Sequence, residues 1–384
     1  MTKRAAMQGE GWFARFLLPG FALKAVIIGG GYATGRELAE FFLPAGPVGG
    51  LTAMLAATLV WSIVAALTFA FAQAMQAFDY RSFFAQLLGP LGIVFEIAFL
   101  LFVVLILAVF GAAAGAIGAA TLGWPEWAGS LALAAAILAV TASGSDSVER
   151  LFRYASFLIY AVYAAFIVLA LTRFGDRIGT ALATSPPPQA GWLEGGVSYA
   201  AYNIVGAVMI LPVLRHLTSR RDALVAGAIA GPLTMLPAIL FFIAMAAFYP
   251  AIGNEVLPSD FLLRQMGVPA FALLFQLMIF LALVESGVGA VHAINERIAH
   301  SLQSHGRPAP ALWGRSLIGA AILAGCMFVA SHIGLVDLIA SGYRFFAVVF
   351  LAVFVLPLLT IGVWRMVRHD EQPALQPATD GTAP

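Results

Sequence analysis

The sequence predicts an all-α polytopic membrane protein: ten transmembrane helices in two five-helix repeats of opposite orientation, with the first and sixth helices broken at mid-membrane. Three observations carry this. Of 384 residues, 61% are hydrophobic and only 10% charged, where a soluble domain has about 25% charged residues. Ten runs are apolar and long enough to cross a bilayer, at roughly 20 residues each. Two of those runs, in matching places, are interrupted by glycine-containing stretches.

The start, MTKRAAMQGEGWFARF, is basic and then amphipathic. It lacks the short apolar core and small-residue cleavage site of a signal peptide, so the N-terminus is expected to be retained. The spans fall near 14–43, 48–77, 91–121, 126–143, 148–173, 192–217, 222–249, 268–299, 312–332 and 335–364. A first repeat of 1–173 is followed by a loop at 174–191 containing Ser185-Pro186-Pro187-Pro188. The second repeat is 192–364. The stretch 365–384, rich in Pro, Thr and Asp, has a disordered-tail composition. With the N-terminus inside, the inner connections carry fourteen Lys and Arg residues, whereas the outer ones carry Arg173, Arg177 and Arg264. That asymmetry places both termini in the cytoplasm and the chain in the cytoplasmic (inner) membrane.

The repeat shows in short matches. Ser82 to Gly89 and Asp260 to Gly267 each read as a short amphipathic helix ending in glycine, before the third and eighth spans. At the same offset Gly111-Ala112 falls on Gly289-Ala290. An odd number of crossings per repeat inverts the second copy, the architecture of alternating-access carriers.

In span 1 the interruption is Gly29-Gly30-Gly31-Tyr32-Ala33-Thr34-Gly35, with four glycines in seven residues. Each costs a helix about 1 kcal/mol, and opened backbone in a bilayer is tolerated only where it lines a cavity or is covered by protein. The counterpart in span 6 is Tyr202-Asn203-Ile204-Val205-Gly206. A break frees amides at the second half-helix, near Ala33 to Arg36, which suit a carboxylate, and carbonyls near Ile28 to Gly30, which suit Na⁺ or an ammonium group. Gly29, Gly30 and Gly31 thus supply the opening. Tyr32, Thr34, Tyr202, Asn203 and Gly206 are candidates to touch a solute, against the plainer reading of small residues at a close helix crossing.

The same stretch could open a dinucleotide-binding fold. Gly29 and Gly31 fit that fingerprint, but Thr34 stands at its third glycine, Leu51-Thr52-Ala53-Met54 offers no acid, and a further span follows. Neither a nucleophile–base constellation nor a metal cluster argues for an enzyme. A net charge of +1 argues against a nucleic-acid partner, which needs a basic footprint. The lone Cys326 reads as a buried small hydrophobe.

The run Gly29-Gly30-Gly31-Tyr32-Ala33-Thr34-Gly35-Arg36-Glu37, followed by Glu40-Phe41-Phe42, resembles the G-x-G-[FY]-A-T-G-R-E signature of the YkvI-like bacterial membrane proteins; Gly287-Val288-Gly289 with Glu296-Arg297 adds to it. That family is grouped with amino-acid permeases of the amino acid–polyamine–organocation superfamily, so the resemblance implies a LeuT-type fold. It also implies that span 8 faces the first half-helix, where hydroxyl side chains hold Na⁺ with span-1 carbonyls. This chain offers Ser286 beside Glu285 but no adjacent hydroxyl pair. A Na⁺ site near Ile28, Gly31 and Ser286 therefore competes with Glu285 as a proton carrier or amine counter-ion.

Ionisable residues inside spans default to functional hypotheses. Lys24, Glu285 and His292 can form one coupling network if spans 1 and 8 pack together, the alternative for Lys24 being an interfacial position. Arg36 and Glu40 are spaced for an intrahelical pair, and by the superfamily resemblance Arg36 pairs with Asp337 across an outer gate. Taken together, the expected function is secondary transport of a small solute, an amino acid or related zwitterion or organic anion, coupled to H⁺ or Na⁺ and without other cofactor. The rival readings are a channel-type facilitator and a non-transporting signalling or structural membrane protein.

Overall fold

The computed structural model describes residues 11–371, apart from 28, 29, 143, 144, 305, 307 and 309. It is helical along nearly all of that length. Among the described residues seven helices are long and apolar enough to cross a membrane, and two shorter apolar helices, Leu18–Ile27 and Glu126–Ala142, accompany them. The shortfall from ten has a physical cause: the runs expected at 14–43 and 192–217 are each divided into pieces too short to cross alone, and the run at 126–143 forms only 17 helical residues.

The first run comprises α1 (Trp12–Phe16), α2 (Leu18–Ile27), α3 (Gly30–Ala33) and α4 (Arg36–Phe41). After it come the long α5 (Gly46–Ala74), the short α6 (Tyr80–Leu88), α7 (Gly92–Leu122), α8 (Glu126–Ala142) and α9 (Ser145–Ala183). The chain then repeats the pattern of short pieces with α10 (Trp192–Asn203), α11 (Gly206–Met209) and a 3₁₀ segment Leu211–His216. Next are α12 (Arg220–Ala246), the short α13 (Pro258–Met266), α14 (Pro269–Ser304) and α15 (Leu312–Ile333). The last run, from Leu335, winds through π-helical turns around α17 (Arg344–Phe350) after the short α16 (Leu335–Asp337), and ends in α18 (Val363–Glu371).

Local chemistry sets several of these ends. Asp79 caps α6 by accepting from the amides of Arg81 and Ser82, and Ser219 caps α12 by accepting from the amide of Asp222. The left-handed Gly123 and Gly267 close α7 and α13. Two boundaries differ from expectation. The loop placed at 174–191 is helical through Ala183, because Phe174 and Ile178 are buried and Arg177 lies over the Phe248 ring. The tail placed from residue 365 continues as helix through Glu371, because Met366 enters the core and Arg365 donates to the Gln86 carbonyl.

Two helix groups face each other across the bundle. In one, α12 lies along α5, with α2 and α10 against them; in the other, α7, α8, α14 and α15 pack together. The contact between α5 and α12 depends on missing side chains: a Cβ on Gly227 would come within 2.3 Å of the Ala66 backbone. The Trp61 indole donates to the Ala200 carbonyl at 3.1 Å, tying α5 to α10. Outward-facing Leu55, Leu59, Trp313, Phe328 and Val348 are exposed, giving the bundle an apolar surface of the kind lipid covers.

Gly227→Leu should push α12 off α5, at a cost of about 1–3 kcal/mol or more, and lower the melting temperature of the purified protein. Gly325→Leu, at a site where a Cβ meets nothing within 4 Å, serves as the control. Equal melting temperatures for the two variants would contradict the packing described.

Candidate functional site

The first interruption is built from the backbone outward. In the described residues Gly30–Ala33 is a helical turn, and the chain leaves the helix at Thr34 and Gly35; Ile28 and Gly29 lie outside the described residues. Gly35 has φ 78°, the left-handed region that an L side chain adopts only under strain. Space excludes a side chain as well, since a Cβ there would meet the Phe241 ring at 2.7 Å. The polar groups freed by the break are taken up by protein. Gly35 N donates to Tyr32 O at 3.0 Å, the Ser259 amide donates to Thr34 O at 2.9 Å, and Arg36 N donates to Thr34 Oγ1 at 3.2 Å. The amides expected to await a carboxylate near Ala33 to Arg36 are thus already engaged at Gly35 and Arg36. Thr34, fully buried, caps the break and does not face the cavity.

The second interruption is milder. Ile204 N still donates to Ala200 O, while Ala207 N and Val208 N turn to Ile204 O and Val205 O, at 2.9 to 3.0 Å. The Asn203 amide group donates to Tyr199 O at 3.1 Å. Gly206 brings α11 against α2: a Cβ would stand 3.2 Å from Val26 and 3.4 Å from Ile27 and Leu23.

Between the two interruptions lies a cavity of about 440 Å³, within the range of small-molecule sites. Its walls come from the end of α2, from Tyr32 and Glu37, from Tyr202 to Met209, from the middle of α7, from Tyr160 on α9, from Glu285, Ser286 and Gly289 on α14, and from Tyr343. Tyr32, Tyr202, Asn203, Gly206, Glu285 and Ser286, all singled out in the sequence, meet here. Of the exposed wall residues, Ala25 and Val26 precede the first break, Met209 follows the second, Gly289 follows Glu285 along α14, and Tyr160 lies on α9. The cavity therefore opens toward the bundle end to which those segments lead. At the opposite end Glu37, Tyr202 and Tyr343 are buried.

Glu37 is a wall residue that the sequence alone does not single out. Its residue is 6% exposed, and one carboxylate oxygen accepts the Tyr202 hydroxyl proton at 2.6 Å. That bond links α4 to α10. The Tyr202 ring packs 4.6 Å from Tyr343 and 5.4 Å from Phe41. On the other flank the Tyr163 hydroxyl donates to Pro237 O at 2.9 Å and so receives the Tyr32 hydroxyl proton at 3.2 Å. Within α4, Glu37 and Phe41 form an i, i+4 row distinct from that of Arg36 and Glu40.

The row of Arg36 forms the closed end. Its guanidinium donates to Gly253 O and Glu255 O at 3.0 Å each and pairs with Glu40 at 3.1 Å; Glu40 also pairs with Arg344 at 3.3 Å, and Arg344 reaches Glu194 at 3.5 Å. Side-chain exposure rises along this series from 7% at Arg36 through 18% at Glu40 and 39% at Arg344 to 74% at Glu194. The charges thus form a plug from the core to the surface. Asp337, expected opposite Arg36, is exposed instead; Arg344, two helical turns further on, makes the contact from the last run because the π-helical turn Leu338–Tyr343 redirects that run.

Of the expected coupling residues, Glu285 lines the cavity, Lys24 lies against its Tyr160 wall and His292 stands outside it. Lys24 is half-buried, with its ammonium 4.4 Å from the centroid of Tyr160, a ring that lines the cavity with Glu285. His292 is exposed and outside the cavity wall. Among the described residues no group of His, Cys, Asp and Glu has the arrangement of a metal site.

No protein-family model matches the chain. It is 27% identical to the membrane protein YkvI of Bacillus subtilis over 342 residues, which covers 86% of this chain and 92% of that one. The resemblance first carried by the glycine-rich motif thus extends over most of the sequence. Among solved structures, MhsT in complex with L-phenylalanine aligns over 94% of this chain and 98% of its own, with a TM-score of 0.58 at 14% identity. The Eremococcus coleocola manganese transporter in complex with an aromatic bis-isothiourea compound aligns over 89% of this chain and 77% of its own, with a TM-score of 0.51 at 17% identity. The chain has the fold of these proteins, a LeuT-type helical membrane fold.

Removing the Arg36 guanidinium leaves Glu40 paired with Arg344 alone and takes the donor from the Gly253 and Glu255 carbonyls. Arg36→Ala should destabilise the protein by about 3 kcal/mol, read as a lower melting temperature, and Arg36→Lys should recover only part of this, because an ammonium cannot fork to the carbonyls and Glu40 together. Full recovery by lysine would argue against the forked geometry.

Proposed function

We propose that the chain is a secondary transporter that moves a small solute by alternating access, with the cavity between the two interrupted helices as its solute site. The observation that carries this reading is that both interruptions open onto one cavity, sealed at one end by the plug from Arg36 to Glu194 and open toward the other. A channel needs a continuous path, and the plug blocks one. A purely structural membrane protein has no use for a polar-walled cavity beside two broken helices, each of which costs backbone hydrogen bonding.

The order of elements supports a five-plus-five inverted repeat spanning 1–173 and 192–364. Interrupted helix, long helix, short amphipathic helix and long helix occur as α2–α4, α5, α6, α7 and again as α10–α11, α12, α13, α14. Each long helix also packs against its counterpart, α5 on α12 and α7 on α14. Under the charge asymmetry of the connections both termini are cytoplasmic. The cavity then opens to the cytoplasm and the plug faces outward.

An amino acid or related zwitterion suits a cavity of this size. The organic-anion alternative loses support, because the amides of Gly35 and Arg36 are engaged and the wall carries two carboxylates. Coupling to H⁺ is favoured by the carboxyl of Glu285 in the wall; coupling to Na⁺ rests on Ser286 and the carbonyls before Gly30.

In proteoliposomes the purified protein should show saturable, counterflow-competent uptake driven by a pH gradient or a Na⁺ gradient; flux without saturation or counterflow would favour a channel. Glu285→Gln should flatten the pH dependence of uptake. An unchanged pH profile in that variant would remove Glu285 as proton carrier.

A further inference from the structure

Resting on the reading of this cavity as the solute site, we propose that the solute is an organic amine with an apolar body and no carboxylate, and that Glu37 is the side chain that pairs with its ammonium group. The wall of the cavity has a sign. Among the described residues the acidic side chains in it are Glu37 and Glu285, with no Arg, Lys or His. Arg36, next to Glu37 in the chain, is turned away to Gly253, Glu255 and Glu40, and Lys24 is stacked on the Tyr160 ring.

Glu37 is poorly compensated for so buried a carboxylate. Among the described residues its hydrogen-bond partner is the neutral Tyr202 hydroxyl, which occupies one oxygen. A buried charge is stable when a counter-charge meets it, and the cavity is where one can arrive. The rings of Tyr32, Phe102, Tyr202 and Tyr343 share that wall, and aromatic faces attract ammonium groups. The rest of the lining, with Val103, Ile106, Phe110 and Met209, suits an apolar body.

The carboxylate of a zwitterion finds much less. The Gly35 and Arg36 amides and the Asn203 side-chain amide are engaged within the protein, and among the described residues no cation lines the wall. Because Glu37 is joined to Tyr202, an ammonium group at Glu37 touches both interrupted helices through one hydrogen bond.

The test is thermal-shift titration of the purified full-length protein in detergent with three compounds that share a phenyl body: phenethylamine, phenylalanine and 3-phenylpropionate. Phenethylamine should raise the melting temperature most and 3-phenylpropionate not at all. Glu37→Gln, which keeps the volume and an acceptor for Tyr202, should weaken phenethylamine binding by roughly tenfold or more. Tighter binding of phenylalanine or 3-phenylpropionate than of phenethylamine, no shift with any of the three, or undiminished phenethylamine binding by Glu37→Gln would each overturn the proposal. If Glu37→Gln does not fold, the three compounds on the unaltered protein still decide the charge class. Amine binding without uptake into proteoliposomes would sink the transport reading and leave Glu37 assigned. Uptake of phenylalanine or 3-phenylpropionate without amine binding would do the reverse.

Discussion

A helix that stops inside an apolar bundle must give its freed backbone groups to other parts of the protein, because lipid accepts none of them. That constraint organises this molecule. Thr34 and Gly35 end one helical piece and Arg36 begins the next. The groups between them are held by the Ser259 amide, by the Thr34 hydroxyl and by the chain's own Tyr32 carbonyl. To bring Ser259 there, α13 must fold back over the break, and to cover Gly35 the Phe241 ring of α12 must lie against it. The short helix before α14 and the course of α12 thus both answer to one interruption near the start of the chain.

The same interruption separates two neighbours in sequence into two tasks. Arg36 faces the connection at Gly253 to Glu255 and, with Glu40 and Arg344, closes one end of the cavity. Glu37 faces inward, joins Tyr202 of the second interrupted helix, and gives the cavity wall a carboxylate. The closed end and the cavity wall are therefore adjacent positions on a helix of only six residues. A small rotation of α4 moves both together, which is the mechanical link that the proposed alternating access needs. The exposure gradient from Arg36 to Glu194 has a further consequence: the outer members are solvated and weakly held, so the plug can loosen from its surface inward.

Much of this was legible in the sequence, and the reasons are physical. Composition and run length reported the membrane, because the bilayer fixes how many apolar residues a crossing needs. Glycine density reported the first interruption, since only backbone need explains four glycines in seven residues. Tyr202, Asn203 and Gly206 were found by position, as counterparts of the first break, and the structure brings them to the same cavity as Tyr32, Glu285 and Ser286. What was not legible depended on orientation. Glu37 could not be placed in the wall because helical facing cannot be assigned until the end of the preceding break is known, and that end is Gly35, not Gly31. The pairing of Arg36 with Asp337 failed for a related reason: a π-helical turn shifts which residue of the last run points inward, and no composition signals such a turn. The helical extensions to Ala183 and Glu371 were hidden because buried anchors such as Phe174 and Met366 lie inside polar stretches.

The central claim is that this cavity is reached from each side of the membrane in turn. Ser286→Cys in a background where the buried Cys326 is replaced by alanine puts one reactive thiol in the cavity wall, and membrane-impermeant thiol reagents applied from either face of oriented vesicles measure its accessibility. The account predicts labelling from both faces, with the balance between them shifted by a bound solute or an imposed ion gradient. Labelling from one face alone under every condition would contradict it.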